Sequence, residues 1–543
     1  MSSTGHRPDR SARLVVALAF PAQIAVLALL ARLGAGSLNP DAVAYLRLAD
    51  HWAEGRLDLA IVGYWGPLLS WLLVPVTRVV PDLLAATKLV MSATAVLFAI
   101  ASAFFLSRLG LAGPQIAVGT WILSLSAAVW AFDQVTPDVL LAGLLLVAIG
   151  LVTGPADTLD RRRFALAGFV TGLAYLAKAV ALPMGAAILF AITFGRVWAR
   201  GLSWRVGLRR LGLAATVLLL TAAPWIAALS SKYGYLTFST TAGIAHAVMG
   251  PPDVPRSHPP TRDFVRPPEG RLTAWEDPSE LPYPAWSPFG SRSEFLHQIR
   301  LVRRNVVAVA GYLSRFDLLG LALALGALGL VDSLVEPASF ERQRWRLGWA
   351  ALIPTIAIYL PVYAAERRYY YLSLALLVAM ALGLLWELAR RSGHARLLRG
   401  LGLMLLVVSW GASALLESSR VVHEPAGDSF HVARVIARAL TDARVTGPIA
   451  TIGDDPHAGM YVGLLLETPV HGHRRSASVE QIAASGAWLV LVRGETGPTG
   501  ASELGPAFER LSPRLALPSP WRAYVRKDVG PATIRVLPSG GRR

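Results

Sequence analysis

The chain contains no cysteine. That excludes disulfides, thiolate zinc sites, iron–sulfur clusters and a cysteine nucleophile, whichever compartment its loops occupy. Charge is scarce as well: 16% of the 543 residues are Asp, Glu, Lys or Arg, where an ordinary soluble domain carries roughly a quarter. The sequence has no G-x-x-x-x-G-K-[ST], no G-x-S-x-G and no H-E-x-x-H, so it carries no P-loop for an ATP-driven pump, no nucleophile elbow and no zincin helix. No repeat of fixed period is present. Acids are the minority among the charges, 35 Asp and Glu against 52 Lys and Arg, for a net charge of +17. In a soluble protein that excess would suggest nucleic acid; in a membrane chain it marks basic cytoplasmic loops, and no nucleic-acid partner is expected.

What is abundant is apolar sequence: 54% of residues are hydrophobic, and the mean hydropathy is +0.48. The excess is gathered in blocks long enough to cross a bilayer, which predicts one polytopic membrane body with appendages. The basic N-terminus MSSTGHRPDRSAR leads into an apolar run over 14–34. That run is too long for a signal-peptide core and lacks a small-residue cleavage site, so it reads as an uncleaved first helix. Further spans are expected at 83–106, 114–132, 137–153, 164–178, 179–195, 211–229, 317–334, 347–363, 369–389 and 401–417, about eleven in all. The pair meeting near Lys178 is short, which allows a broken or re-entrant arrangement there.

Basic residues test the parity of this count. Arg7, Arg10 and Arg13 precede the first helix, and Arg108, Arg161 to Arg163, Arg196 to Arg210, Arg342 to Arg346 and Arg390 to Arg399 fall in alternate loops. That face is expected to be cytoplasmic. The opposite face receives the loops 35–82, 133–137, 230–316 and 364–368 and the tail from 418. Segment 64–80 reads as an interfacial helix, with Trp65 and Trp71 at the headgroup boundary. The expected division is a transmembrane body over 1–417 and a small extracytoplasmic α/β domain over 418–543. In the tail, HVARVIARALTDA has helical periodicity, and GPIATIGD, AWLVLVRG and ATIRVLPS read as strands. The stretch 250–290 is Pro-dense and resists regular assignment, yet Trp275, Tyr283 and Trp286, with Tyr235 before it, favour an ordered lid over a floppy linker.

Asp41 follows directly on the first membrane helix. A carboxylate at the water–lipid boundary is a candidate general base, its pKa open to partial desolvation. N-P-D-A before a helical pattern is also good capping chemistry, and spacing alone favours that reading. Asp50, nine residues on, reads as a solvated polar face. The pattern D-A-V-A-Y-L-R-L-A-D-H-W-A-E-G followed by G-Y-W-G-P-L-L resembles the first outer loop of the GT-C superfamily, in its bacterial branch related to protein O-mannosyltransferases and to the aminoarabinose transferase that modifies lipid A. The resemblance implies transfer of a sugar from a polyprenyl-phosphate carrier to an acceptor outside the cytoplasm. It also implies Asp41 as catalytic base and Tyr64 and Trp65 in the substrate pocket. Ala42 stands where the mannosyltransferases carry a second acid.

Other motifs follow in the order the superfamily has them. Q-V-T-P-D places Asp138 at a helix start on the same outer face. It resembles the T-P-D or E-P-D turn that shapes the substrate site, and it is also an ordinary first-turn helix start. Lys178 lies in G-L-A-Y-L-A-K-A-V-A-L-P; a cation at that depth suits a lipid phosphate or snorkels to the interface. A-A-E-R-R-Y-Y-Y-L puts two arginines outside against the positive-inside bias. An Arg fork there suits bidentate phosphate recognition, and the bland reading is an aromatic belt with a Glu366–Arg367 surface pair. The stretch resembles the E-x-R-Y motif of the superfamily, matched by Glu366, Arg368 and Tyr369, which implies Arg368 and Lys178 at the donor phosphate. His246, in G-I-A-H-A-V-M-G-P, resembles a segment of some bacterial relatives and is a candidate pocket residue.

His258 and His297 lack metal-ligand partners at a diagnostic spacing, and His471-Gly-His473 is a weak metal signal. No metal site and no cofactor are expected, with a divalent metal not excluded. The expected partners are a polyprenyl-phosphate sugar, membrane lipids and an acceptor that is protein, lipid or glycan. The expected location is a bacterial-type plasma membrane, with the N-terminus cytoplasmic. The alternative is a transporter or lipid flippase in which Asp41, Asp138, Lys178 and Arg368 line a substrate path.

Overall fold

The computed structural model describes residues 10–153, 159–200, 203–314, 340–391, 393–423, 429–494, 504, 506–511, 515 and 517–528. In chain order the helices are α1 (Arg10–Arg32), α2 (Pro40–Ala53), α3 (Leu57–Ala60), α4 (Pro67–Val79), α5 (Leu83–Arg108), α6 (Gly113–Asp133), α7 (Asp138–Thr153), α8 (Arg161–Ala177), α9 (Ala181–Arg200) and α10 (Trp204–Tyr233). There follow α11 (Thr241–Val248), α12 (Arg292–Ser314), α13 (Phe340–Ala357), α14 (Tyr371–Arg391), α15 (Ala395–His423), α16 (Ser429–Asp442), α17 (Ala458–Leu466) and α18 (Val479–Ala484). Among the described residues 7 helices are long and apolar enough to cross a membrane: α1, α5, α6, α9, α10, α14 with the turn before it, and α15. The shorter apolar helix α7 has 16 residues. The expected helix at 317–334 lies outside the described residues. At 13 residues, α4 is about 20 Å long and does not span a hydrocarbon core of about 30 Å.

Contacts divide the chain into two compact units, each built from pieces distant in sequence. One comprises Met1–Ala35, Met91–Ser239 and Ser287–Val422. Its helices approach closely where side chains are small. Gly168 and Gly172 of α8 face α10 so tightly that a Cβ on Gly168 would lie 2.2 Å from the Ala214 carbonyl oxygen, and one on Gly172 would lie 2.5 Å from Thr221 Cβ. This is small-residue packing of the kind that lets membrane helices touch backbone to backbone. Gln23 on α1 adds polar glue, donating from Nε2 to the carbonyls of Ala95 (3.0 Å) and Ser124 (2.9 Å). By contrast only 11% of the apolar window of α15 is buried, and its exposed Leu415 and Leu416 suit a lipid-facing surface. The second half of the expected outer loop is helical: in α12 the buried residues Leu301, Asn305, Val309 and Leu313 recur every four positions. The charges beside them, Arg300, Arg303 and Arg304, mask that period in a plain hydropathy reading.

The other unit comprises Gly36–Val90, Thr240–Trp286 and His423–Arg543. Its sheet has the order β2-β1-β3-β5-β4, with β1 (Ile449–Ile452), β2 (Val470–Arg474), β3 (Leu489–Arg493), β4 (Phe508–Arg510) and β5 (Trp521–Arg526). β1 pairs parallel with β2 and β3, while β5 pairs antiparallel with β3 and β4. The strands expected around 449 and 489 are β1 and β3; the one expected in ATIRVLPS lies outside the described residues. β2, Val-His-Gly-His-Arg, carries no apolar alternation, and it is the ladder that makes it a strand, whereas β5, Trp-Arg-Ala-Tyr-Val-Arg, alternates over six residues and is a strand that the expected set did not include.

The Pro-rich segment is built into this unit. Val265 N–H donates to the His471 carbonyl (2.8 Å), His473 N–H to the Asp263 carbonyl (3.3 Å) and Val470 N–H to the Leu272 carbonyl (2.7 Å). Phe264 packs on the core of Ile452, Ile482, Val490, Val492, Phe508 and Tyr524. Gly472, at φ +93, permits this: a Cβ there would lie 2.3 Å from the Asp263 carbonyl oxygen.

Candidate active site

In the membrane-helix unit five sequence-predicted residues come together. α8 ends at Ala177, and Lys178 takes an extended conformation (φ −154°, ψ 126°) before α9 begins at Ala181. That break turns its side chain onto the start of α7, where Asp138 stands in the first turn with 2% of its surface exposed. Lys178 Nζ donates to Asp138 Oδ1 at 2.6 Å. Arg368 Nε lies 3.9 Å from Asp138 Oδ2 and 3.7 Å from Glu366 Oε2, both beyond hydrogen-bond length. Tyr369 closes the group: Lys178 Nζ sits 4.1 Å from its ring centroid, Arg368 Cζ sits 5.7 Å from it, and Tyr359 stacks on it at 4.7 Å and 13°. Two cations over aromatic faces and carboxylates form a compact, preorganised cationic site.

The turn that carries Arg368 is fixed from behind. Residues Arg367–Tyr370 form a 3-10 turn, Tyr370 donates from its hydroxyl to the Ala364 carbonyl at 2.9 Å, and Tyr371 stacks on Trp130 at 3.9 Å and 6°. Arg367 pairs with Glu417 of α15. Adjacent arginines reach different carboxylates, Arg367 to Glu417 and Arg368 towards Asp138 and Glu366.

The second unit holds Asp41, Tyr64, Trp65 and His246. Asp41 is in the first turn of α2, a helix opened by Pro40. Trp65 is buried, donates from Nε1 to the Trp275 carbonyl at 3.2 Å, and meets Tyr45, Tyr64 and Trp275 edge-on at 5.2, 4.6 and 5.6 Å. Tyr64 also meets His258 at 6.4 Å. His246 stacks on Trp286 at 4.2 Å and 8°, and Trp286 Nε1 donates to its carbonyl at 2.7 Å.

Residues that the sequence did not single out bind these pieces. Glu276, in the 3-10 turn Ala274–Glu276, is fully buried. Its Oε2 lies 3.0 Å from His51 Nε2, itself fully buried. Its Oε1 accepts from the backbone N–H of Leu272 (2.7 Å) and Thr273 (3.1 Å). Arg271 reaches Asp277 at 3.4 Å and Glu276 at 4.0 Å. A carboxylate so well satisfied fastens the Pro-rich segment to α2. No local signal marks the pair, since His51 and Glu276 are 225 positions apart. Among the described residues no group of three or more His, Asp or Glu is arranged to hold a metal ion.

No protein-family model and no curated protein matches the sequence. Solved structures do. ArnT from Cupriavidus metallidurans, solved bound to undecaprenyl phosphate, matches at 15% identity and a TM-score of 0.56 over 94% of this chain and 97% of that one. The same protein in the apo state matches at 14% identity and 0.54 over 89% and 92%. The archaeal oligosaccharyltransferase AglB from Archaeoglobus fulgidus, solved with an inhibitory peptide and a dolichol-phosphate, matches at 12% identity and 0.53 over 90% of this chain and 70% of that one. With these likenesses and its apolar helices, the chain is an integral membrane protein with the fold of the GT-C glycosyltransferases.

Proposed function

We propose that the protein transfers a sugar from a polyprenyl-phosphate donor to a hydroxyl-bearing acceptor at the extracytoplasmic face of a bacterial-type plasma membrane, with the N-terminus cytoplasmic and the tail domain outside. The observation that carries this reading is the convergence of Lys178 and Arg368 on the Tyr369 ring beside buried Asp138. Such a site offers a phosphate one flexible point charge and one planar fork. The fold shared with an enzyme solved on undecaprenyl phosphate supports the same donor class.

In this reaction Asp41 takes the proton of the acceptor hydroxyl as that oxygen attacks the anomeric carbon. The bond from that carbon to the phosphate oxygen breaks, and the polyprenyl phosphate departs with the electron pair, its charge held by Arg368 and Lys178. Asp138 and Glu366 keep the two cations in place between turnovers. Tyr359 and Tyr369 give the phosphate end of the isoprenoid an aromatic wall, and Tyr64, Trp65 and His246 belong to the walls of the outer site.

The test is release of free polyprenyl phosphate from a panel of polyprenyl-phosphate sugars by purified protein in lipid. Arg368→Gln is expected to lower kcat/KM for the donor about a hundredfold with the fold intact, the loss of a charge-assisted bidentate contact. Folded wild-type protein that releases nothing from any donor would contradict the reading and make lipid flipping the next assay.

A further inference from the structure

Three segments far apart in sequence, α4, the turn Ala274–Glu276 and α17, pack against α2. Asp41 stands in the first turn of α2, and Tyr45, one turn on, lies on the same side of the helix. From Tyr45 the rings run through Trp65 (5.2 Å) and Trp275 (5.6 Å) to His258 (4.6 Å). His258 Nδ1 is 2.9 Å from the Tyr283 hydroxyl. The Pro-rich loop thus brings an anchored imidazole to the aromatic wall beside Asp41.

The C-terminal domain brings a second one. α17 packs against α2, and its N-cap is His457. This residue follows the carboxyl end of β1, where Asp455 Oδ1 accepts from the backbone N–H groups of His457 and Ala458 at 3.1 Å each. β1 lies between parallel β2 and β3, and beside such a strand-order switch α/β sheets place their binding residues. Charge agrees with the placement. Burial pushes His258 down to about 4, and Asp41 is the charge opposing it. Burial also lowers His457, opposed by Asp455 and then by Asp41. Both imidazoles are neutral near pH 7, so each offers one donor and one acceptor and no positive charge. The nearby cations Arg262 and Arg474 are engaged by Asp263 at 3.7 and 3.3 Å.

Resting on the transferase reading, we propose that His258 of the loop and His457 of the C-terminal domain flank Asp41 and position the acceptor, and that this acceptor presents an uncharged hydroxyl and not a phosphate monoester. Two neutral imidazoles, a carboxylate and aromatic edges recognise a polyhydroxylated, apolar-faced group such as a sugar ring. They repel a second anion. In this account the tail domain is part of the acceptor site, and His258 and His457 act as positioning residues.

Because the chain has no cysteine, engineered pairs report proximity without background. Asp41→Cys with His457→Cys, and Asp41→Cys with His258→Cys, are each expected to be joined by a short thiol cross-linker in full-length protein in lipid. Thr273→Cys with Val470→Cys, at an existing bridge, serves as the positive control. Failure of the Asp41–His457 pair where the control succeeds overturns the proposal without reference to activity. In the transfer assay, with an alkyl glycoside and its phosphate monoester as acceptor probes, the glycoside is the expected acceptor. His457→Ala is expected to raise its KM about tenfold, leave the donor KM unchanged, and be partly rescued by His457→Gln. Wild-type turnover with a phosphate preference, or with an acceptor KM indifferent to His457→Ala, overturns this inference while leaving the transferase standing. Absence of donor cleavage by the wild type overturns both.

Discussion

Lys178 donates to Asp138 at 2.6 Å across 40 positions of sequence. That bond joins the break between α8 and α9 to the start of α7, so two motifs that are separately ambiguous become one ion pair. Asp138 has 1% of its side chain exposed and Lys178 22%. A pair this enclosed is poor evidence of stability by itself, because desolvation offsets most of its Coulomb attraction, but removing one member strands the other. It is best read as a device for holding Lys178 beside Tyr369.

Asp138→Ala is therefore expected to lower unfolding stability by about 3 to 5 kcal/mol. Asp138→Asn combined with Lys178→Gln should recover part of that loss, because no buried charge is then left uncompensated. Thermal unfolding of the single and double variants in one detergent checks the cycle; additive losses would show that the pair does not couple.

Gly168→Ala and Gly172→Ala are each expected to cost about 1 to 3 kcal/mol, since the new methyl meets the Ala214 carbonyl or Thr221 across the α8–α10 contact. Gly212→Ala, on α10 with nothing within 4 Å of the added Cβ, should stabilise by up to about 1 kcal/mol through helix propensity. The opposite signs are read from thermal midpoints.

Glu276→Ala should detach the Pro-rich segment from α2 by leaving His51, Arg271 and the N–H groups of Leu272 and Thr273 without their acceptor. A loss of about 3 to 5 kcal/mol from the second unit is expected. Limited proteolysis should then cut within 250–290, a stretch expected to resist cleavage in the wild type. Unchanged protection would mean that the buried network does not hold the segment.

Acid should weaken the second unit. Burial holds His258 and His473 down to about 4 in the folded protein, whereas an unfolded chain titrates them near ~6.5. Between those values the unfolded chain binds protons that the folded chain refuses. Stability is therefore full above pH ~6.5 and falls as pH drops towards 4, by about 1.4 kcal/mol per pH unit for each histidine. His473→Gln should flatten the fall measured by thermal unfolding across this window; an unchanged slope would assign it to other groups.

How much of this was legible from sequence follows from how each residue departs from its surroundings. Lys178 in an apolar run and Arg368 in a doublet that goes against the expected charge bias each break a local rule, and both lie in the assembled site with Asp138, whose Pro-Asp helix start is locally ordinary. The rest conforms locally. His51 reads as a helix-face residue, Glu276 as one acid in a polar loop, and β2 as Val-His-Gly-His-Arg without alternation; only tertiary pairing gives them roles. His258 was weighed only against metal-ligand spacing, which hid its place beside Tyr283 and Trp275. The interweaving of loop and tail around Gly472 has no local signature, because the contacts are backbone to backbone.

The central claim is that Asp41 is the base of a polyprenyl-phosphate sugar transfer, and it is tested most directly by Asp41→Asn. Release of free polyprenyl phosphate is to be compared between wild type and variant, both in lipid and both shown to be folded. The account predicts release by the wild type and at least a hundredfold loss of kcat in the variant, about 2.7 kcal/mol of transition-state stabilisation. Release unaffected by the substitution would contradict it and leave Asp41 a helix-start residue.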